Sequence, residues 1–189
     1  RLKEAGKIRA IGVCNASPAQ MDEYRAVGPL DTDQERFSLI DPAAANDKLP
    51  YCREHGLAFL AYSPLASGLL TGKLGPEREF PVGDMRRVRP RFSVESRRHV
   101  TAALTKLQPM ADGYGVTLAQ LVLAWTMAQP GVTHLLVGAR SPAQVLENAA
   151  AAAVPLTEAD AREITRVTGN LGDLVGSPAP TAKPSPSQG

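Results

Sequence analysis

The sequence has little of what several functional classes require. Its 189 residues include only two cysteines, Cys14 and Cys52, whose spacing fits neither a metal motif nor a disulfide framework. Lysine and arginine (21) nearly balance aspartate and glutamate (19), which leaves a net charge of +2 and no broad basic surface for nucleic acid. No apolar run approaches the roughly 20 residues that span a bilayer. We therefore expect a cytoplasmic protein without a metal site that binds neither nucleic acid nor membrane.

Two phosphate-binding motifs are also missing. No G-x-G-x-x-G follows a predicted strand, and no G-x-x-x-x-G-K-[ST] loop is present. The composition, 43% hydrophobic and 21% charged, is that of an ordinary globular chain with one sizeable core. The chain starts at Arg1, and residues 1–6 resemble the last turn of a helix with Gly6 as its cap. This start predicts that the sequence begins inside a structural unit.

The most informative segment covers residues 57–73, LAFLAYSPLASGLLTGK. Residues 57–61 are apolar without alternation, which predicts a strand buried on both faces. Pro64 ends the strand pairing, so Tyr62 and Ser63 stand at the carboxyl end of that strand, where parallel α/β folds bind ligands. An aromatic ring beside hydroxyl groups suits a flat heterocycle joined to phosphates. The alternative is a strand and turn with ordinary turn residues.

The rest of the chain alternates short strands with capped helices. Helices are predicted to begin at Ser17, Thr117 and Ser141. Each of these residues is followed three positions later by glutamine, which is the pattern of a capping box. Strands are predicted at residues 8–13, 32–40, 57–61 and 132–137, and further helices at residues 43–55, 93–113 and 157–168. Residues 63–92 form a long irregular stretch, typical of a binding loop, a lid or a disordered segment. The Pro/Ser-rich residues 169–189 are predicted to form a disordered tail.

This alternation predicts a parallel sheet with helices packed outside it. Four such units could be half of an eight-stranded (β/α) barrel or a small open sheet. The barrel is favoured by Gly138, Arg140 and Ser141, which lie between the fourth predicted strand and a helix N-terminus, where phosphate binds in barrels. In the alternative, Ser141 only caps its helix and Arg140 is a solvated loop charge.

Three segments in particular, GKIRAIGVCN, AYSPLASGLLTGK and VGARSPAQVLEN, resemble the carboxyl-terminal half of an aldo-keto reductase. The resemblance runs in order from residue 1 to about residue 168. It implies an α/β fold made of strands five to eight of a (β/α)8 TIM barrel. The implied domain therefore covers residues 1–168, followed by the tail at residues 169–189.

The resemblance implies reduction of aldehydes or ketones by NADPH, less often NADH. It assigns the nicotinamide carboxamide to Asn15 with Gln34 as its partner, and the stacking contact with the nicotinamide ring to Tyr62. Amide side chains suit this role because each offers both a donor and an acceptor. The remaining implied contacts are with the pyrophosphate (Ser63, Leu65, Ser67), the 2′-phosphate (Gly138, Arg140, Ser141) and the adenosine (Gln144, Glu147, Asn148). Residues 72–92 correspond to the loop that folds over the bound cofactor.

Two positions depart from the family pattern. Cys14 stands where relatives often have serine, and a thiol is a weaker hydrogen-bonding group. Asp33 lies beside Gln34, where relatives usually have apolar residues. Burying an unpaired charge costs roughly several kcal/mol of stability. We therefore expect Asp33 to have a partner, since otherwise the strand would be weak.

The catalytic tetrad of the family, an aspartate, a tyrosine, a lysine and a histidine, lies in the first half of the barrel. No residue of this chain matches a tetrad position, so no catalytic residue is assigned and the chain alone is predicted to be inactive. Three alternatives remain open: a fragment of a complete NADPH-dependent reductase, a non-catalytic NADP(H)-binding remnant or regulatory module, or half of a split barrel. A half-barrel would expose two strand edges and so self-associate or bind a partner chain. The expected substrate of a full-length parent is a small-molecule carbonyl compound.

Overall fold

The structure, a computed structural model of the chain, describes residues 1–176. Its centre is a sheet of four strands that are all parallel and follow one another in space in chain order. The strands are β1 (Gly12–Cys14), β2 (Thr32–Arg36), β3 (Ala58–Tyr62) and β4 (Val132–Leu136). The predicted strand–helix alternation is therefore confirmed. Sequential order without a reversal is the order of a barrel wall, whereas a doubly wound sheet reverses at a switch point.

Helices connect the strands and cover one face of the sheet. The α-helices are α1 (Pro18–Val27), α2 (Lys48–Glu54), α3 (Val94–Tyr114), α4 (Leu118–Met127), α5 (Pro142–Ala150), α6 (Glu158–Thr168) and α7 (Leu171–Leu174). Short 3₁₀ segments occur at Ala43–Ala45, Ala66–Thr71, Met85–Arg87, Pro90–Phe92 and Ala151–Ala153. Among the described residues, no helix is long and apolar enough to cross a membrane.

The predicted helix starts follow from local capping. Ser17 and Thr117 each form a complete capping box with the glutamine three residues later, at the starts of α1 and α4. Ser141 also caps α5 through its hydroxyl, which accepts from the backbone N–H of Gln144. These three starts are confirmed because capping depends only on neighbouring residues.

Several predicted boundaries are wrong. The first strand is Gly12–Cys14 rather than residues 8–13, because only these three residues pair with β2. The second strand ends at Arg36, after which residues 37–41 form a buried turn. The helix predicted at residues 43–55 is divided, with a 3₁₀ turn first and a new helix capped by Asp47.

The side chains of the sheet alternate between two faces. Asp33, Glu35 and Phe59 are buried against the helices, whereas Gln34 and Tyr62 lie on the opposite, less covered face. The helix-facing side joins the hydrophobic core, where Phe59 meets Phe37 edge to face, with ring centroids 6.1 Å apart. The less covered face corresponds to the interior of a barrel wall. It carries two of the side chains predicted for the cofactor, those of Gln34 and Tyr62.

The folded part of the chain extends beyond residue 168, where the tail is predicted to begin. Residues 169–176 continue the fold through α7, and Leu171 and Val175 are each only 2% exposed. The prediction of disorder is wrong for this stretch because these two apolar side chains reach the core. Its remainder, residues 177–189, lies outside the described part of the chain.

Candidate functional site

The carboxyl ends of β1 and β3 are joined by side chains. The Tyr62 hydroxyl donates a hydrogen bond to Oδ1 of Asn15 at 3.0 Å. Asn15 follows β1 in a left-handed conformation (φ 56°), which asparagine tolerates better than most residues. Its backbone N–H donates to the carbonyl oxygen of Gln34 at 3.0 Å, and its Nδ2 lies 3.4 Å from Sγ of Cys14. The structure therefore gathers Asn15, Gln34 and Tyr62 at one end of the sheet.

The loop after Tyr62 is held in an unusual backbone conformation. Ser63, Ala66 and Ser67 all have positive φ angles, of 57°, 48° and 55°. Each such residue costs on the order of 1 kcal/mol, and clusters of this strain occur preferentially at ligand sites. Ala66 and the following Leu69 are buried, so core packing keeps the loop in this shape. The serines stand at its rim, with Ser67 exposed.

A cavity of about 700 Å³ opens beside this loop, between the carboxyl ends of β3 and β4. Nine of the twelve residues predicted for the cofactor line it: Tyr62, Ser63, Leu65, Ser67, Gly138, Arg140, Gln144, Glu147 and Asn148. Ser141 is outside the lining and caps α5. Asn15 and Gln34 are also outside it, next to Tyr62 at the end of the sheet. The size suits an extended ligand of drug-like or dinucleotide dimensions.

The charge of the cavity is positive. Its charged lining residues are Lys73, Arg86, Arg89 and Arg140 against a single carboxylate, Glu147. Glu147 is partly neutralised, since Nζ of Lys73 lies 3.8 Å from its Oε1. The guanidinium of Arg140 is exposed, and its backbone N–H donates to Oε1 of Gln144 at 2.7 Å, which fixes the turn into α5. This excess of cations favours an anionic ligand.

Residues 72–92 fold over this cavity and are anchored from α3. The buried guanidinium of Arg97 donates to three backbone carbonyls, those of Gly75 (2.6 Å), Arg78 (2.7 Å) and Phe92 (3.1 Å). It also lies over the ring of Phe80, 5.3 Å from the centroid. One side chain thus holds both ends of the segment.

Within this segment, Asp84 and Arg86 form a bidentate ion pair, with a shortest N–O distance of 2.6 Å. Hydrogen bonds from Arg86, with smaller contributions from the positive charges of Arg86 and Arg140, lower the pKa of Asp84 to about 2. The segment therefore reaches the phosphate end of the predicted site. Sequence reasoning assigned this loop as a cover and missed Lys73, Arg86 and Arg89 individually. The only signal was the arginine density of residues 86–91.

A pair of acidic residues lies buried behind β2. Glu35 pairs with Lys48, whose Nζ lies 2.7 Å from Oε2. Asp33 is fully buried, and neither of its carboxyl oxygens receives a hydrogen bond from any donor in residues 1–176. Burial, with the nearby charge of Glu35, raises the pKa of Asp33 to about 7. Within residues 1–176, no cation pairs with Asp33, and its raised pKa favours the neutral carboxyl in the folded chain instead.

The two cysteines do not pair. Cys14 is exposed at the end of β1, and Cys52 is buried in α2, where burial and then the charge of Asp33 raise the pKa of its thiol to about 12. Within residues 1–176 no cluster of three or more His, Cys, Asp or Glu side chains could hold a metal ion.

Comparison with known proteins connects this geometry to one family. A family model described as the aldo/keto reductase family matches residues 1–168. An NADH-specific methylglyoxal reductase from Escherichia coli is 40% identical over 160 residues, which are 85% of this chain and 48% of the relative. An aldo-keto reductase from Bacillus subtilis is 36% identical over 177 residues, 93% of this chain and 54% of that protein. The chain thus spans about half the length of these curated relatives.

Solved structures agree with this match. The glycerol dehydrogenase from Gluconobacter oxydans superposes with a TM-score of 0.83 and 34% sequence identity, covering 97% of this chain and 54% of that structure. The fold is therefore the α/β, TIM-barrel type of that family. The chain belongs to the aldo/keto reductase family of oxidoreductases.

Proposed function

We propose that this chain binds NADP(H) and so provides the cofactor site for reduction of aldehydes or ketones in the whole protein. One observation carries the proposal: nine of the twelve residues predicted from the family resemblance line a single cavity. They come from two separate segments, residues 62–67 and 138–148. Their convergence at the carboxyl end of the sheet is what a ligand site of this fold needs.

The chemistry of the lining fits a phosphorylated dinucleotide. Hydroxyls of Ser63 and Ser67 and the amino end of α5 offer donors to phosphate oxygens, and the cations of the cavity offset their charge. The choice of NADP(H) over NAD(H) depends on Arg140, whose guanidinium can pair with a 2′-phosphate. The relative that is 40% identical is NADH-specific, so this choice needs its own test.

Bound NADPH would supply a hydride to the carbonyl carbon of the substrate. In our proposal Asn15 and Gln34 hold the carboxamide, and the ring of Tyr62 orients the nicotinamide. The carbonyl oxygen also needs a general acid. No residue of this chain matches the family's acid, so the chain by itself should bind the cofactor without turning over a substrate.

We further propose that the four strands are strands five to eight of an eight-stranded barrel. In the described residues, β1 pairs only with β2 and β4 only with β3, so each outer strand has a free edge. A closed barrel has no such edges. The other strands would come from the rest of a longer protein, from a partner chain or from a second copy. The expected location remains the cytoplasm.

The test is a titration of the purified chain with NADPH, followed by the fluorescence of the nicotinamide, and then addition of methylglyoxal. We expect saturable binding and no loss of nicotinamide absorbance. An absence of binding by NADPH and NADH would contradict the proposed site, and appreciable turnover would contradict the predicted lack of a general acid. The mass of the protein in its source cells tests the half-barrel proposal, since a full barrel of ~300 residues has a mass of about 35 kDa.

A further inference from the structure

Arg36 places a positive charge at the nicotinamide end of the proposed site. It is the last residue of β2 and pairs in register with Tyr62 of β3. Its guanidinium carbon lies over the tyrosine ring, 5.7 Å from the centroid. Within residues 1–176, Arg36 forms no ion pair and no side-chain hydrogen bond at all, so this cation–π contact is its main described interaction.

The nearby carboxylates are engaged elsewhere. Glu35 precedes Arg36 and therefore points to the opposite face of the sheet, where it pairs with Lys48. Asp41, beyond the end of β2, receives two hydrogen bonds from Arg91, at 2.8 and 3.2 Å. The charge of Arg36 is therefore not compensated by an acidic side chain in the described part of the chain.

The position of Arg36 relative to the predicted cofactor contacts is fixed by strand geometry. Gln34 and Arg36 are alternate residues of one strand, so their side chains leave the same face about 7 Å apart. Arg36 also touches Tyr62, which is bonded to Asn15. The guanidinium therefore lies over Tyr62 and on the same face of the sheet as Gln34, two of the three residues that our proposal assigns to the nicotinamide.

We propose that Arg36 makes the site prefer the reduced cofactor to the oxidised one. This inference rests on the proposed function. The nicotinamide ring carries a formal positive charge when oxidised and none when reduced, so a fixed cation nearby weakens binding of the oxidised form only. Such a bias favours release of the oxidised product after carbonyl reduction. At a separation of about 10 Å in a partly solvated site, the effect on relative affinity is about three- to tenfold.

The experiment measures dissociation constants of the full chain for NADP⁺, NADPH and 2′,5′-ADP by calorimetry. The variants are Arg36→Gln and Arg36→Met, which remove the charge, and Arg36→Lys, which keeps it. Arg98→Gln, at an exposed position of α3, is the matched control for net charge. The nucleotide 2′,5′-ADP lacks the nicotinamide, so its binding reports whether the phosphate end of the site is intact.

We expect the ratio of the NADP⁺ to the NADPH dissociation constant to fall about three- to tenfold in Arg36→Gln and Arg36→Met. It should stay near the wild-type value in Arg36→Lys and Arg98→Gln, and 2′,5′-ADP should bind all folded variants equally. An unchanged ratio in either neutral variant that retains 2′,5′-ADP binding, or an equal fall in Arg36→Lys, overturns the inference. If the wild-type chain binds none of the three nucleotides, the proposed function is overturned instead.

Discussion

The hydroxyl of Tyr62 donates a hydrogen bond to Oδ1 of Asn15 at 3.0 Å, which joins the ends of β3 and β1 across the intervening β2. The two residues are 47 positions apart in the chain. Both belong to the set that the family resemblance assigns to the nicotinamide. The bond keeps the amide of Asn15 beside the tyrosine, which lines the cavity.

Two substitutions of Tyr62 test the contribution of its aromatic ring and that of its hydroxyl separately. Tyr62→Leu removes the aromatic surface and should weaken NADPH binding about three- to tenfold, since an aromatic contact contributes about 0.5–1.5 kcal/mol. Tyr62→Phe keeps the ring and loses only the bond to Asn15, so its effect should be smaller. Fluorescence titration of both variants measures the difference. Equal affinity of wild type and Tyr62→Leu would contradict the assignment of Tyr62.

Arg140 should decide between the two dinucleotides. In Arg140→Gln we expect NADPH affinity to fall about 10- to 100-fold, because a charge-assisted hydrogen bond contributes about 1.5–3 kcal/mol. NADH lacks the 2′-phosphate, so its affinity should change less than about twofold. Arg162→Gln, in which an exposed arginine of α6 is replaced, is the control. An equal loss for both dinucleotides would show that Arg140 contacts something other than the 2′-phosphate.

The buried acid pair predicts an unusual dependence of stability on pH. The pKa of Asp33 is raised from 3.8 to about 7 in the folded chain. As pH rises from about 4 to about 7, the carboxyl ionises in the unfolded chain but stays protonated in the folded one. The free energy of unfolding therefore falls through this window and levels off above it.

Asp33→Asn removes this titration and can donate a hydrogen bond to Glu35. We expect the variant to gain on the order of 1–3 kcal/mol over wild type at pH 8 and to show little difference at pH 4. Urea denaturation at both values measures this. Glu35→Gln is the contrasting variant, and it should be destabilised because Lys48 loses its partner. Destabilisation by Asp33→Asn at pH 8 would mean that the carboxyl is ionised and satisfied.

Arg97 should control the segment that covers the cavity. Arg97→Met keeps the bulk of the side chain but removes the three hydrogen bonds to Gly75, Arg78 and Phe92. The free energy needed to open residues 72–92 then falls by at least about 1.5 kcal/mol. Tryptic cleavage within the segment should therefore accelerate more than about tenfold. Arg98→Met, at the adjacent exposed position, should leave the rate unchanged. Equal rates in the two variants would show that other contacts hold the segment.

The elements that could be predicted are those with local causes. Ser17 and Thr117 start their helices through side chains three residues apart, and the strand at β3 follows from its unbroken apolar run. Strand lengths could not be predicted in this way. Gly12–Cys14 is short because pairing with β2 covers only those three residues, and pairing is a property of two distant segments.

The site was predictable in part for the same reason. The residues after β3 and β4 could be assigned because motifs mark them and the fold brings strand ends together. Arg86 and Arg97 could not, because they lie in or beside a stretch without periodicity, and their roles depend on the backbone path of that stretch. Gln144 is a further example. It was expected to contact adenosine, and in the described structure its side chain accepts from the backbone of Arg140.

The most direct measurement is a crystal structure of the chain in complex with NADP⁺. The nicotinamide should lie against the ring of Tyr62 with its carboxamide at Asn15 and Gln34, the pyrophosphate along Ser63 and Ser67, and the 2′-phosphate at Arg140. Nucleotide bound away from the cavity between β3 and β4, or absent at saturating concentration, would contradict the assignment of this cavity as the cofactor site.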